Sequence, residues 1–397
     1  DAPEQVEYQL ADSRSVFIFV EDEEQLDKVL EVRARLPLLR KIVVFDMDGL
    51  RDLNDEQVMS LDGLRKLGAA HDAQHPGLWE QRVATRRREE LAVLIYTSGT
   101  TGRPKGAMLS HANIMFATRL YRDTFPQADG DERMCFLPLC HVAERVVGSY
   151  TALLTSTCLN FVENPEPVPE NVREIAPTVF GAVPRIWEKF YSGVLIRLKE
   201  ASPLQQRAYA VAIGIGYKVA KLREERKPVP ARLAFAFWLA RVLVLDNVRK
   251  VIGVHRARTL FTGAAPISPD LVRWYMALGL EMIEVWGQTE SGGVSTGNVA
   301  GRVKPGSIGP ALPRTEVKLS PEGEILVKSP AVFMGYLNQP EKTAEPLRDG
   351  WLHTGDVGKV DEEGYFYITD RMKDIIITAG GKNITPSEIE NQLKFSP

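Results

Sequence analysis

Short apolar runs separated by amphipathic stretches set the rhythm of the chain from its start. Residues 15–20 (Ser-Val-Phe-Ile-Phe-Val) and 41–45 (Lys-Ile-Val-Val-Phe) are β-branched and aromatic, as strands are. A charged stretch from about Asp22 to Leu36 lies between them and predicts a helix, which makes a β-α-β unit and hence an α/β sheet. Residues 50–90 are polar and weakly periodic, with the run Arg86-Arg87-Arg88-Glu89-Glu90, and predict a solvated connector. Residues 178–183 form another strand-like run, after which Pro184 suits the first turn of a helix. Ile186, Phe190, Val194 and Leu198 then recur every four residues and predict its buried stripe. A further unit has a strand over 258–262, the turn Gly263-Ala264-Ala265-Pro266, and a helix capped by Ser268 with Pro269 at its first position. Gly279 closes that helix, and another strand is predicted over 281–286. From Gly306 the spacing changes: strands around 316–319, 323–328 and 365–369 alternate with Pro-Glu-Gly and Asp-Glu-Glu-Gly turns. That pattern predicts an antiparallel, barrel-like subdomain over about 306–370.

Length and composition narrow the class. A chain of 397 residues predicts two or three domains or subdomains. Forty-nine basic and 52 acidic residues give a net charge of −3 with no basic domain, which excludes nucleic acid as the main partner. Cys135, Cys140 and Cys158 form no CxxC pair, so they read as reduced thiols rather than a disulfide or zinc framework. No apolar run reaches the ~18 residues that cross a bilayer, and the acidic start Asp1-Ala2-Pro3-Glu4 is no signal peptide. These features point to a cytoplasmic protein. Residues 231–245 are strongly apolar and follow the basic cluster Arg223 to Lys227. They could lie peripherally at the inner face of a membrane, or form a buried helix. Nothing in the pattern fixes an oligomeric state.

The segment from Leu94 to Gly106 carries the first chemistry. An apolar strand ends in a loop with the hydroxyls of Thr97, Ser98, Thr100 and Thr101, the glycines Gly99, Gly102 and Gly106, and Lys105. Glycines let backbone N–H groups turn toward an anion, hydroxyls donate hydrogen bonds, and lysine adds a mobile charge. The inventory suits a polyphosphate. It is not a Walker loop, because the G-x-x-x-x-G-K-[ST] spacing is absent and Pro104 precedes the lysine.

Thr97 to Gly106 resembles the phosphate loop of the adenylate-forming superfamily: acyl-CoA synthetases, aryl-CoA ligases, firefly-type luciferases and peptide-synthetase adenylation domains. Four more segments resemble that family in the right order: Gly263-Ala264-Ala265-Pro266, Trp286-Gly287-Gln288-Thr289-Glu290, Gly350 to Asp356, and Asp370-Arg371-Met372-Lys373-Asp374. The resemblance implies a large N-terminal domain of layered α/β sheets with a β-barrel-like subdomain, over residues 1–370. It implies that 371–397 hold only a hinge at Lys373 and the start of a small C-terminal α/β domain, otherwise absent from this chain. The implied nucleotide site comprises Thr97 to Gly102, Lys105, Gly263, Ala264, Ala265, Trp286, Gly287, Gln288, Thr289, Asp356 and Arg371. Trp286 stands where the family usually has tyrosine and would stack on adenine. Asp356 would accept hydrogen bonds from both ribose hydroxyls, with Arg371 reaching the same sugar. Thr289 would donate to the α-phosphate and Glu290 would hold Mg²⁺.

The chemistry so implied is attack of a carboxylate on ATP to give an acyl-adenylate and pyrophosphate, followed by displacement of AMP by coenzyme A. Lys105, His141, Thr289 and Glu290 are the implied catalytic residues. Leu137 to Arg145 and Val183 to Lys189 resemble the long- and very-long-chain fatty acyl-CoA synthetases, which places His141 beside the acyl carboxylate in preference to the alternative of a local helix cap. Val146 to Tyr150 and Val179 to Val183 could line an alkyl tunnel or belong to the core. Two alternatives stand beside the fatty acid–CoA ligase: a ligase that loads an acyl-carrier protein, and a non-catalytic nucleotide- or acyl-binding relative.

Overall fold

The computed structural model describes residues 2–97, 103–162 and 168–372, together with the backbone of two short antiparallel strands, Ile376–Ile377 and Asn383–Ile384. It divides the chain into two units, residues 1–111 with 335–340, and residues 112–334 with 341–397.

In the first unit the predicted β-α-β rhythm forms a parallel sheet of Phe17–Val20, Lys41–Val44 and Val58–Ser60. Helix Glu23–Val32 begins where the Asp22 carboxylate accepts the Gln25 N–H at 3.0 Å. Its Leu26, Val29 and Val32 recur every three residues, so one face is buried against Leu10, Ile42 and Val44. The expected connector over 50–90 is instead largely structured. Helix Leu61–Gln74 starts from a Ser60 cap and helix Leu78–Ala84 follows, but neither buries a residue completely. Helices that rest so lightly on the core leave little hydrophobic period to read. A second sheet pairs Leu91–Thr97 antiparallel with Lys105–Ser110, and adds Gly335–Tyr336.

In the second unit Val179–Ala182, Thr259–Thr262 and Met282–Trp286 run parallel in register, with Thr296–Gly297 antiparallel at the edge. Helix Pro184–Glu200 follows the first of these strands and Pro269–Ala277 the second. Ser268 accepts the Asp270 N–H at 3.2 Å, and Gly279 takes φ +82° just past the helix, so both predicted ends are in place. The buried stripe of Pro184–Glu200 runs through Pro184, Trp187, Phe190 and Val194, while Ile186 and Leu198 stay half-buried at its margin. Trp187 packs edge-on against Phe180 and Tyr275 at 5.2 and 5.3 Å and donates its Nε1 proton to the Ala182 carbonyl. Removing so buried an indole costs roughly 3–5 kcal/mol. Val146, Val179 and Phe180 are fully buried and belong to this core.

The β-rich stretch is an antiparallel half-barrel. Glu316–Leu319, Glu324–Lys328 and Trp351–Val360 pair in that order, and Trp351–Val360 also pairs with Leu347–Arg348 and Phe366–Arg371. The ladder slips between Val357 and Gly358, a bulge that twists the strand immediately beyond Asp356.

Candidate nucleotide site

A cavity of about 810 Å³ opens in the second unit, where the turns leaving two parallel strands meet the half-barrel; its lining includes Ala264, Glu284, Trp286, Gln288, Asp356 and Arg371. Its position at the carboxyl ends of parallel strands is where open α/β sheets bind ligands, and its size suits a nucleotide. Local backbone constraints hold the turns. Ala264 is left-handed at φ 65°, a conformation that costs a non-glycine residue roughly 1–2 kcal/mol. A Cβ on Gly287 would lie 1.8 Å from the Gly293 carbonyl oxygen, so only glycine fits there. The buried Tyr121 hydroxyl donates to the Gly292 carbonyl at 2.9 Å and accepts the Val294 N–H at 2.6 Å, pinning the segment after Glu290.

Asp356 is the node of the site. It is buried, and its Oδ2 accepts the Trp286 Nε1 proton at 2.9 Å and the Gln288 Nε2 amide at 3.0 Å. Its Oδ1 lies 3.2 Å from Nε of Arg371, which sits directly opposite on the neighbouring strand. Burial raises the Asp356 pKa above the usual value, against the lowering effects of Arg371, Trp286 and Gln288. A carboxylate offers about four acceptor positions, and three are occupied. One further hydrogen bond can therefore be accepted without change, and a second only if the half-exposed Arg371 lets go. Glu324 supports the same strand, accepting the Gly355 N–H at 2.9 Å and contacting His353 at 2.8 Å.

Glu284 was not among the expected residues. It is buried in the cavity wall, and its Oε2 and the Oγ1 of Thr262, its register partner on the adjacent strand, have no hydrogen-bond partner among the described residues. Burial pushes the Glu284 pKa up to about 8, opposed by a hydrogen bond from the Ile267 backbone. The signal was present: an acidic residue inside the apolar run Met282-Ile283-Glu284-Val285. Because the folded pKa is raised, the protonated form stabilises the fold, and this contribution is lost as pH rises from the ordinary carboxylate range through about 8. Chemical denaturation at pH 5, 7 and 9 should show a loss of a few kcal/mol that is absent in Glu284→Gln. Parallel pH profiles for the two proteins would show that Glu284 is ionised at neutral pH.

The remaining expected residues fall in several places. Thr97 and Lys105 face each other across the mouth of the loop, and the Thr97 hydroxyl donates to the Lys105 carbonyl at 3.4 Å. The Lys105 ammonium lies 4.1 Å over the Tyr336 ring, within the first unit. Ser98, Gly99, Thr100, Thr101 and Gly102 lie outside the described residues, as does Lys373. In the second unit Thr289 and Glu290 form a single 3₁₀ turn with Ser291, fixed by the Phe333 N–H on the Glu290 carbonyl at 2.9 Å. No cluster of three or more metal-ligating side chains occurs among the described residues. His141 caps the following helical segment, its Nδ1 accepting the Ala143 N–H at 3.1 Å. Desolvation of part of its ring lowers its pKa, and with Nδ1 accepting, Nε2 is the ring nitrogen left to donate.

Residues 2–337 match the family model described as AMP-binding enzyme. The chain belongs to this family. Among curated relatives it is similar to the long-chain-fatty-acid–CoA ligase ACSBG2 of Xenopus laevis, 33% identical over 95% of this chain and 52% of that protein. It is also 33% identical to the long-chain-fatty-acid–CoA ligase FadD15 of Mycobacterium bovis, over 99% of this chain and 63% of the relative. The chain thus spans about half to two thirds of the length of these relatives. ATP-bound MatB from Rhodopseudomonas palustris superposes with a TM-score of 0.67 at 26% identity, covering 100% of this chain and 67% of that one. The anthranilate CoA ligase AuaEII in complex with anthranoyl-AMP has a TM-score of 0.71 at 22% identity, over 100% of this chain and 66% of its own, and shares the fold. Membership in the AMP-binding family agrees with the resemblance carried by the five motifs.

Proposed function

We propose that this chain forms the nucleotide-binding part of an ATP-dependent long-chain fatty acid–CoA ligase. The observation that carries the reading is the Asp356 node, which ties Trp286, Gln288 and Arg371 around one nucleotide-sized cavity at the strand ends. Similarity over nearly the whole chain to relatives named long-chain-fatty-acid–CoA ligases supports the acyl class. In this reading Trp286 stacks on adenine, Asp356 and Arg371 hold the ribose, and the loop from Thr97 to Gly106 with Lys105 binds phosphate oxygens. Glu290 holds Mg²⁺, which when bound neutralises phosphate charge. Thr289 donates to the α-phosphate and the Nε2 proton of His141 orients the acyl carboxylate. A carboxylate oxygen bonds to the α-phosphorus as the bond to pyrophosphate breaks; the thiol of coenzyme A then attacks the carbonyl and AMP leaves. The protein supplies alignment and charge more than covalent chemistry. Peripheral membrane contact, which would give access to sparingly soluble fatty acids, belongs to the same reading.

The test is fatty-acid-dependent pyrophosphate release across a chain-length series. Each buried methylene contributes about 0.8 kcal/mol, so catalytic efficiency should rise by orders of magnitude from butyrate to palmitate. Equal efficiency on the two acids would remove the long-chain assignment.

A further inference from the structure

We propose that the helical segment from Ala231 to Ile252 is a docking face for an anionic lipid surface. The proposal names the surface behind the membrane contact inferred above and rests on that reading for its purpose, not for its test. Helix Ala231–Ala240, a π-helical turn at Arg241–Leu245 and helix Asp246–Ile252 follow one another without a break. Phe237, Ala240, Leu245 and Ile252 are buried, so one side is packed. Away from it the segment offers Phe235 at 62% exposure, Trp238 at 56%, Val242 at 51% and Leu243 at 68%, with the Phe235 and Trp238 rings stacked 5.9 Å apart. Spacings of three, four and one residues place these positions along one stripe of the helix surface. The segment is therefore neither wholly buried nor wholly exposed.

Charge selects the occupant. Between Lys218 and Lys250 stand nine basic and three acidic residues, in a chain whose net charge is −3. All three acids are neutralised internally: Glu224 by Arg273, Glu225 by Lys227, and Asp246 by Arg241 and Arg249. Arg232 precedes Phe235 by three residues and Lys250 follows Leu243 by seven; both are exposed and make no ion pair among the described residues. A second copy docking here about a two-fold axis would set this basic face against itself, which like-charge repulsion disfavours. Aromatic and aliphatic side chains flanked by Arg and Lys, with no described helix long and apolar enough to cross a bilayer, fit an element lying in the plane of an anionic interface.

Sedimentation of the chain with vesicles decides it, using 70% phosphatidylcholine and 30% phosphatidylglycerol against pure phosphatidylcholine at 0.1 M salt. The chain should partition at least tenfold more strongly to the anionic vesicles, and the difference should shrink at higher salt. The pair Phe235→Glu with Leu243→Glu should lower that partition at least tenfold, while Arg232→Glu with Lys250→Glu should abolish the preference for anionic lipid. All four side chains are exposed, so unchanged thermal transitions serve as the folding control. No partition by the parent chain, or equal partition by both variant pairs and the parent, overturns the proposal. So does a dimer in light scattering that the first pair converts to monomer without any vesicle binding, since that result assigns the face to self-association. Vesicle binding without fatty-acid activation would keep this proposal and sink the ligase reading instead.

Discussion

Asp356→Ala is expected to weaken binding of AMP at least a hundredfold in calorimetric titration. The substitution leaves the Trp286 indole N–H, the Gln288 amide and the Arg371 guanidinium without their shared acceptor. A buried donor left unsatisfied costs about 1–3 kcal/mol, and 1.4 kcal/mol is tenfold in affinity, so misplacement of two such groups suffices. Asp356→Asn should fall between, because it keeps one acceptor oxygen but turns an NH₂ toward donors. Removing the carboxylate also removes the desolvation that raises its pKa, which tempers the loss of fold stability. AMP affinity within a few fold of the parent in Asp356→Ala would show that the node braces the half-barrel without organising the ligand.

Glu290→Ala should reduce pyrophosphate release by at least about a hundredfold at ordinary Mg²⁺ while leaving AMP affinity nearly unchanged. An unneutralised triphosphate resists attack by an anionic carboxylate, and one metal ion can contribute several kcal/mol to that step. AMP lacks the β- and γ-phosphates, so its binding does not depend on the cation in the same way. The two substitutions thus have opposite signatures: Asp356 is read in nucleotide affinity, Glu290 in turnover and its Mg²⁺ dependence. Turnover within a few fold of the parent in Glu290→Ala would remove it as the metal ligand.

Much of this architecture was legible in the chain. The first β-α-β unit, the caps at Ser268 and Gly279 and the strands at 316–319 and 324–328 follow from short-range signals: β-branched runs, hydroxyl caps and turn glycines. Helix Leu61–Gln74 escaped because it buries none of its residues completely, so no apolar period marks it. The long strand Trp351–Val360 carries His353, Thr354 and Asp356 among its polar residues, and their partners Glu324, Ile325 and Trp286 come from elsewhere in the chain. Resemblance named Trp286, Gln288, Asp356 and Arg371, but not that they bond to one another. Glu284 left a trace as an acid in an apolar strand. Tyr121 left none, since a tyrosine on an amphipathic helix looks the same whether or not its hydroxyl staples a distant loop.

The Asp356–Arg371 pairing also has a mechanical side. Arg371 is the last residue of its strand, and the next residue, Met372, gives its N–H to the Gly355 carbonyl at 2.8 Å. The backbone therefore leaves the half-barrel from the same two-strand clamp that grips the carboxylate at the cavity wall. A torque applied to the polypeptide beyond Met372 is resisted first at Gly355 and Asp356, one residue apart. The main-chain bond at Gly355 and the side-chain pair at Asp356 thus share one fulcrum at the edge of the cavity.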